Sequence, residues 1–415
     1  MSSQTLNTPP QWEAPNSIWN PMFLSIFFAN MSLNMGQQMS NSLLSLYAKS
    51  MGSPANQIGQ LMSMFAVTAL IFRFISGPAL NSFNRKKLLA MAMSFMATAY
   101  VGFSFAQPIA DALGLQAITV LKIFRLIQGI GNAFANSSCL TIVADVLPKD
   151  KFSTGMGYYS CAQVISQSIG PTVGIFLRDT FGYETTYLIV FAVMCCAILV
   201  STRIKLAPRK SIPFSLKLNN VIAKEALTPT TITFFVNMGF TAISAFLLIY
   251  SEEHGIVGGS LFFTVYALTL LLTRPMIGRL TERLGFAVIG IPAVCMTACS
   301  FVLIAYSGNL ITLLIAAFVN AFGYGAIQPM LQSLCMKSVP PERRGSASGT
   351  NYIGMDLATI IGPMVCGEVS ALVGYVPTMW LVMTVPLFVG IAVIFLSRKR
   401  IKKIEQAFLS RSESK

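Results

Sequence analysis

Stretches of about 20 predominantly apolar residues, the length that carries a helix across the hydrocarbon core of a bilayer, recur along the whole chain with only short polar breaks. Twelve can be placed, at about 21–47, 57–80, 88–107, 116–144, 155–177, 183–201, 228–250, 256–277, 286–306, 310–336, 345–373 and 376–397. The composition agrees. Hydrophobic residues make up 54% of the 415 and charged residues 11%, against roughly 45–50% and 25% in an average soluble protein. An all-α integral membrane protein of twelve transmembrane helices is the expectation.

The formal charge of +14 is informative through its distribution. With the N-terminus placed inside and the spans alternated, 23 of the 29 Lys and Arg fall on one side: Arg85 to Lys87, Lys149 and Lys151, Arg203 to Lys224, Arg279 and Arg283, Lys337 with Arg343 and Arg344, and Arg398 to Lys415. Cytoplasmic loops carry such an excess, so both termini are expected in the cytoplasm. The basic charge is then a topology signal, and no nucleic-acid partner is expected. All eight cysteines fall inside the spans and read as small packing residues; neither a metal site nor a disulfide framework is expected. The polar first twenty residues lack the basic start of a cleavable signal peptide.

The chain repeats itself. An offset of 192 relates Gly131 to Gly323, Pro148 to Pro340, Gly157 to Gly349, and Gly170-Pro171 to Gly362-Pro363. An offset of 201 relates Arg73, Gly77 and Asn81 to Arg274, Gly278 and Glu282. The difference of nine residues fits a longer connection after segment 3. Six spans per unit is an even number, so the two halves share one orientation and are related by an axis along the membrane normal. The expected organisation is a tail at 1–20, a six-helix half at 21–201, a basic linker at 202–227, a second half at 228–397 and a basic tail at 398–415.

These features, with the motifs that follow, resemble the major facilitator superfamily and, within it, the twelve-helix drug:proton antiporter type. The loop after segment 2 usually reads G-x-x-x-D-(R/K)-x-G-R-(R/K) in that family. Here GPALNSFNRKK supplies Gly77, Asn81 in the acidic position, and Arg85 with two lysines. The resemblance implies a latch between the halves at this loop; Asn81 keeps the capacity to cap a helix but carries no charge. The second copy, GRLTERLG, keeps the acid as Glu282 with Arg283. Segment 4 carries KIFRLIQGIGNAFANS, matching the family's R-x-x-Q-G-x-G at Arg125, Gln128, Gly129 and Gly131. Segment 5 carries the antiporter signature as Gly157, Ser166, Gly170, Pro171 and Gly174, and segment 11 repeats it with Gly362 and Pro363. Small residues at four-residue spacing let helices approach closely, and proline bends them. A smooth, bent contact between the halves is the expectation for both stretches.

An arginine inside a span costs at least ~2.5 kcal/mol and normally faces a cavity or a partner. Arg125 is therefore a candidate for substrate contact or proton coupling, with Lys122 three residues before it on the same face. Asp356 is the only carboxylate well inside a predicted span. Burial favours the neutral carboxyl unless it is paired, which makes Asp356 either a proton carrier or one member of an ion pair, with Arg73 or Arg274 as partner. Asn30, Asn34, Gln37 and Asn41 recur on one face of segment 1, and Gln163, Gln167, Asn237, Asn320 and Gln328 add amides elsewhere. They are expected to line a polar, cationic cavity between the halves.

The resemblance implies a secondary transporter in the plasma (inner) membrane of a bacterium, working as a monomer in the lipid bilayer on a small organic molecule, with the proton as coupling ion and no bound cofactor. Proton-coupled export by alternating access is the leading expectation, for an amphipathic or anionic substrate. A symporter or facilitator importing an organic anion, and a membrane sensor without transport, are the alternatives. No nucleophile and base pair appears around the single His254, so no enzyme is expected.

Overall fold

A computed structural model describes residues 17–53, 55–204, 212–373 and 377–413. The expected tail at 1–20 and linker at 202–227 therefore lie partly outside the described residues. Among these residues the ordered structure is helical: α1 Pro21–Ser50, α2 Ala55–Ser82, α3 Arg85–Ser104, α4 Ala106–Leu113, α5 Ala117–Val146, α6 Phe152–Ser201, α7 Leu218–Val221, α8 Leu227–Glu253, α9 Leu261–Leu284, α10 Phe286–Ala305, α11 Leu310–Lys337, α12 Arg344–Val373, α13 Pro377–Val382, α14 Val385–Leu396 and α15 Arg398–Glu413.

Local chemistry explains where these helices begin and end. Asn20 precedes Pro21, and its side chain accepts from Phe23 N at 2.8 Å, a cap followed by the residue that suits the first helical position. Asn84 caps α3 by accepting from Lys86 N and Lys87 N. Asn309 caps α11 from Thr312 N at 3.0 Å. Gly114, at φ 64, stops α4. Gly182, at φ 80, breaks the 50-residue α6 into two arms where segments 5 and 6 were placed.

Among the described residues eight helices are long and apolar enough to cross a membrane, or nine if the bent pair Trp380–Leu396 with Arg398–Ser410 counts as one span. The sequence reading has twelve. The difference arises partly in α6, which counts once although it breaks at Gly182, and in α1, whose 30 residues carry five amides between Asn30 and Asn41. Many large apolar side chains face outward, among them Leu199, Leu272, Ile311 and Phe388. A belt of this kind marks a lipid-facing surface.

Each half packs on itself first. In the N-terminal half α1 lies on α6, and α5 lies between α2 and α3; in the C-terminal half α12 lies on α8, and α11 lies between α9 and α10. The halves meet along two seams, α2 with α12 and α6 with α9. The apolar core of the first half continues across the seam at one end of the bundle through Cys335, Met336, Val339, Ala347 and Phe408. That end carries the basic loops and is called the basic end below. α15 leaves the last span at 62° and buries Ile401 and Phe408 there.

Candidate functional site

The seam between α2 and α12 holds the one ion pair that joins helix interiors of the two halves among the described residues. Arg73 Nε donates to Asp356 Oδ2 at 2.6 Å. Arg73 Nη1 donates to Ala133 O at 3.2 Å, and its guanidinium lies 4.4 Å from the centre of the Tyr352 ring. The arginine side chain is 2% exposed and the aspartate side chain 25%. Of the two sequence readings of Asp356, the structure shows the pairing, and with Arg73 in preference to Arg274.

The second seam repeats the geometry with different chemistry. Arg274 Nη2 donates to Gln328 Oε1 at 2.8 Å, and its Nη1 donates to Ser160 O across the seam. Offsets of 201 and 192 relate Arg274 to Arg73 and Ser160 to Tyr352. The residue so related to Asp356 is Val164, which is buried in the apolar core of the C-terminal half.

Nearer the basic end, glycines set the closeness of both seams. A Cβ on Gly77 would lie 3.3 Å from Gly345 O, and one on Gly349 would lie 3.2 Å from Gly77 Cα. On the other seam a Cβ on Gly157 would meet Arg274 O at 2.6 Å, and one on Gly278 would meet Thr154 Cα at 2.7 Å. Below the glycines Asn81 Nδ2 donates to Ser346 Oγ at 2.6 Å while its Oδ1 accepts from Ser346 N at 3.3 Å. Glu282 accepts from Thr154 N at 2.9 Å and from Thr154 Oγ1 at 2.7 Å. Asn81 and Glu282 thus sit at the starts of α12 and α6 respectively. Arg283 stands on the exposed rim of a cleft with Asp150 and Arg279.

Sequence reasoning missed the ionic hub of this end. Asp145, one residue before the end of α5, takes Arg85 Nη1 on one oxygen and Arg344 Nη1, at 2.8 Å, on the other. Arg85 Nη2 reaches Pro341 O at 2.7 Å and Arg344 Nη1 reaches Ala144 O at 2.6 Å, so both arginines tie the halves together. A carboxylate at a helix C-terminus opposes the helix dipole, and two cations beside it remove that penalty. At an offset of 192 the counterpart of Asp145 is Lys337, which donates to Ser153 Oγ at 2.8 Å and faces the rings of Phe152 and Phe408.

Arg125 lies inside the N-terminal half. It is 1% exposed, donates to Gln128 Oε1 at 2.5 Å and to Asn41 Oδ1 at 2.8 Å, and lies 4.5 Å from the centre of the Phe65 ring. Lys122 points elsewhere and donates to Gln60 Oε1 at 2.8 Å. Along α1, Asn34 Nδ2 donates to Asn30 O and Oδ1; Asn34, Gln37 and Asn41 are half-buried. Gln163 is half-buried and Gln167 exposed. Asn237 Oδ1 accepts from Tyr324 Oη at 2.7 Å.

Two expectations change. Gly170 and Gly174 do not face the other half: Cβ atoms there would meet Gln38 Cβ at 2.9 Å and Leu43 Cδ1 at 3.3 Å, both on α1. Gly362 likewise packs on α8, against Met238 O and Thr241. Pro171 lies inside α6 next to Gly170, whereas the break in that helix is at Gly182, and the ring of Pro363 lies outside the described side chains. The glycine and proline signature is an intra-half contact, whereas Gly157, at its start, is an inter-half one. Asn320 is fully buried and donates to Ser300 Oγ at 2.7 Å, joining α11 to α10 inside the C-terminal half instead of lining a cavity.

All described hydrogen bonds and ion pairs between the halves lie between these arginines and the basic end. Asp356, the deepest, is twelve residues from the start of α12, about 18 Å at 1.5 Å per residue.

The comparisons agree with this architecture. The chain is similar to a multi-drug resistance efflux pump PmrA homolog of Lactococcus lactis, at 24% identity over 85% of this chain and 88% of that protein. Its fold matches the human organic anion transporter MFSD10 (TETRAN) with a TM-score of 0.76, at 16% identity over 90% of this chain and 99% of that one. It also matches the E. coli fucose:proton symporter FucP in its outward conformation with a TM-score of 0.75, at 17% identity over 92% and 99%. The family model for the Major Facilitator Superfamily matches residues 26–259 and 229–412. The chain belongs to the Major Facilitator Superfamily and is a membrane transporter, not an enzyme.

Proposed function

We propose that the protein exports a small amphipathic or anionic organic molecule in exchange for protons, by alternating access between its two halves. In this reading there are twelve spans, α6 supplying two and α13 with α14 the last. The basic end and both termini face the cytoplasm of a bacterium. The closed basic end then makes the present arrangement outward-facing, and the efflux activity in the name of the Lactococcus relative supports export.

The observation that carries the proposal is the Arg73–Asp356 pair. It spans the seam that must part, and its carboxylate is a quarter exposed while its arginine is buried. Protonation of Asp356 removes one charge of the pair and frees α12 to leave α2. Removing one member of a buried pair costs about 3–5 kcal/mol, less here because the aspartate is partly solvated. That is enough to bias a two-state transition. The test is transport in proteoliposomes under an imposed pH gradient, with lipophilic cations and amphipathic carboxylates as trial substrates and Asp356→Asn alongside. Substrate flux that follows the pH gradient in the parent protein and no longer follows it in the variant supports the proposal; flux indifferent to gradient and variant overturns it.

A further inference from the structure

The surroundings of Arg125 contain a surplus of donors that the seam mechanism does not use. Arg125 Nε, Gln128 Nε2, Tyr100 Oη, Ser40 Oγ and Tyr187 Oη are all buried without a hydrogen bond of good geometry, and Tyr100 Oη has only the side chains of Gln128 and Ser40 within reach. They come from α1, α3, α5 and α6, and they converge. Tyr100 lies beside Gln128, Ser40 and Arg125, and Tyr187 within electrostatic range of Arg125. The acceptors that Arg125 does have are two side-chain amides and the face of Phe65, and no described carboxylate bonds it. Gly36 lets α1 pass close to this group, since a Cβ there would lie 2.6 Å from Tyr100 Oη.

The fold does not require such a cluster. The internal repeat places Phe301 where the first half has Tyr100 and Ala317 where it has Arg125, and both are fully buried. One half fills this position with hydrocarbon; the other fills it with a cation and hydroxyls. A buried donor left unmade costs about 1–3 kcal/mol, more beside a charge, so a buried cation with an unpartnered Nε and no described carboxylate beside it calls for an acceptor of negative charge.

We infer that the N-terminal half holds a monoanion among Arg125, Gln128, Tyr100 and Ser40. The shared chemistry is a compact anionic acceptor, supplied either by a free halide or by the carboxylate of the transported molecule. The second source rests on the export reading; the first does not.

The test is equilibrium titration of the purified full-length protein with sodium bromide and separately with sodium butyrate, in a halide-free buffer at fixed ionic strength. Tyr100→Phe is the variant of choice because it installs the residue that the other half already packs. Saturable binding of either probe is expected, weakened roughly tenfold by Tyr100→Phe, as the loss of one hydrogen bond to a charged group predicts. Bromide bound and not displaced by butyrate identifies a resident halide. Butyrate bound, or competing with bromide, identifies the seat of a substrate carboxylate. No saturable binding of either, or binding unchanged in Tyr100→Phe, overturns the inference and leaves the donors to water. Because binding is read without transport, failure here leaves the coupling proposal standing, and failure of coupling leaves a halide site standing.

Discussion

The two seams are built on the same backbone and carry opposite charge patterns. Between α2 and α12 the acid is deep, at Asp356, and the contact at the helix start is neutral, Asn81 on Ser346. Between α6 and α9 the deep position is Val164, and the acid has moved to the helix start, Glu282 on Thr154. Repetition therefore fixes where the halves touch, through Gly77, Gly349, Gly157 and Gly278. It leaves open which contact responds to a proton. A deep carboxylate paired across a seam loses its partner when the seam parts, whereas a carboxylate at a helix start at the rim stays close to solvent and acts mainly on the helix dipole.

The largest effect that separates the seams is expected at Asp356. In Asp356→Asn, substrate flux in proteoliposomes should lose its dependence on the pH gradient altogether. Adding Val164→Asp puts a carboxylate beside Arg274 at the related position. Coupling should stay lost, because Val164 is 1% exposed within an apolar core while the Asp356 side chain is 25% exposed. Recovery of coupling in the double variant would show that the seams are interchangeable and would break the comparison.

Next in size is the hub at the basic end. Asp145→Asn leaves Arg85, with no side-chain exposure, and Arg344, at 9%, without their acid. A loss of about 3 kcal/mol from the closed state follows, read as a fall in thermal midpoint and as longer spin-label distances across the basic end. Its counterpart Lys337 is held by Ser153 Oγ and two rings. Lys337→Met keeps most of that packing and should cost less, about 1–2 kcal/mol, since cation–π contacts are worth ~0.5–2 kcal/mol. Equal losses from the two variants would show that charge at Asp145 is not what closes this end.

The glycines should rank next. Gly278→Ala drives a methyl to 2.7 Å from Thr154 Cα, which is backbone, while Gly77→Ala brings one to 3.3 Å from Gly345 O. Overpacking costs of about 1–3 kcal/mol are expected for the first and a few tenths for the second. The same spin-label distances should therefore open more in Gly278→Ala than in Gly77→Ala.

Sequence alone made much of this legible, and the failures have physical causes. The repeat, the paired arginines Arg73 and Arg274, and the glycines at 77, 157 and 278 follow from spacing, because a close approach leaves small residues at fixed intervals. Spacing does not say which neighbour approaches, so Gly170 and Gly362 read as interface although they pack on α1 and α8. An amide in a span looks the same whether it lines a cavity or, like Asn320 on Ser300, binds a neighbouring helix. Asp145 sits where a helix meets a loop, so it reads as a solvated charge until Arg344, 199 residues away, is brought against it. Tyr100 and Ser40 gave no signal at all, since a hydroxyl in an apolar stretch is common.

The smallest effect sharpens the contrast at the helix starts. Glu282→Gln keeps the shape and removes the charge at the N-terminus of α6, a loss of about 0.5–1 kcal/mol. Asn81→Ala removes a neutral contact that accepts from Ser346 N and donates to Ser346 Oγ, a loss of about 1 kcal/mol. Salt separates the two: at about 0.5 M the Debye length falls to a few ångströms. The penalty of Glu282→Gln, measured as a shift in thermal midpoint, should then shrink, while that of Asn81→Ala should stay unchanged. A salt-independent Glu282→Gln would mean that this carboxylate acts through its two hydrogen bonds alone, and the charge difference between the seams would reduce to Asp356.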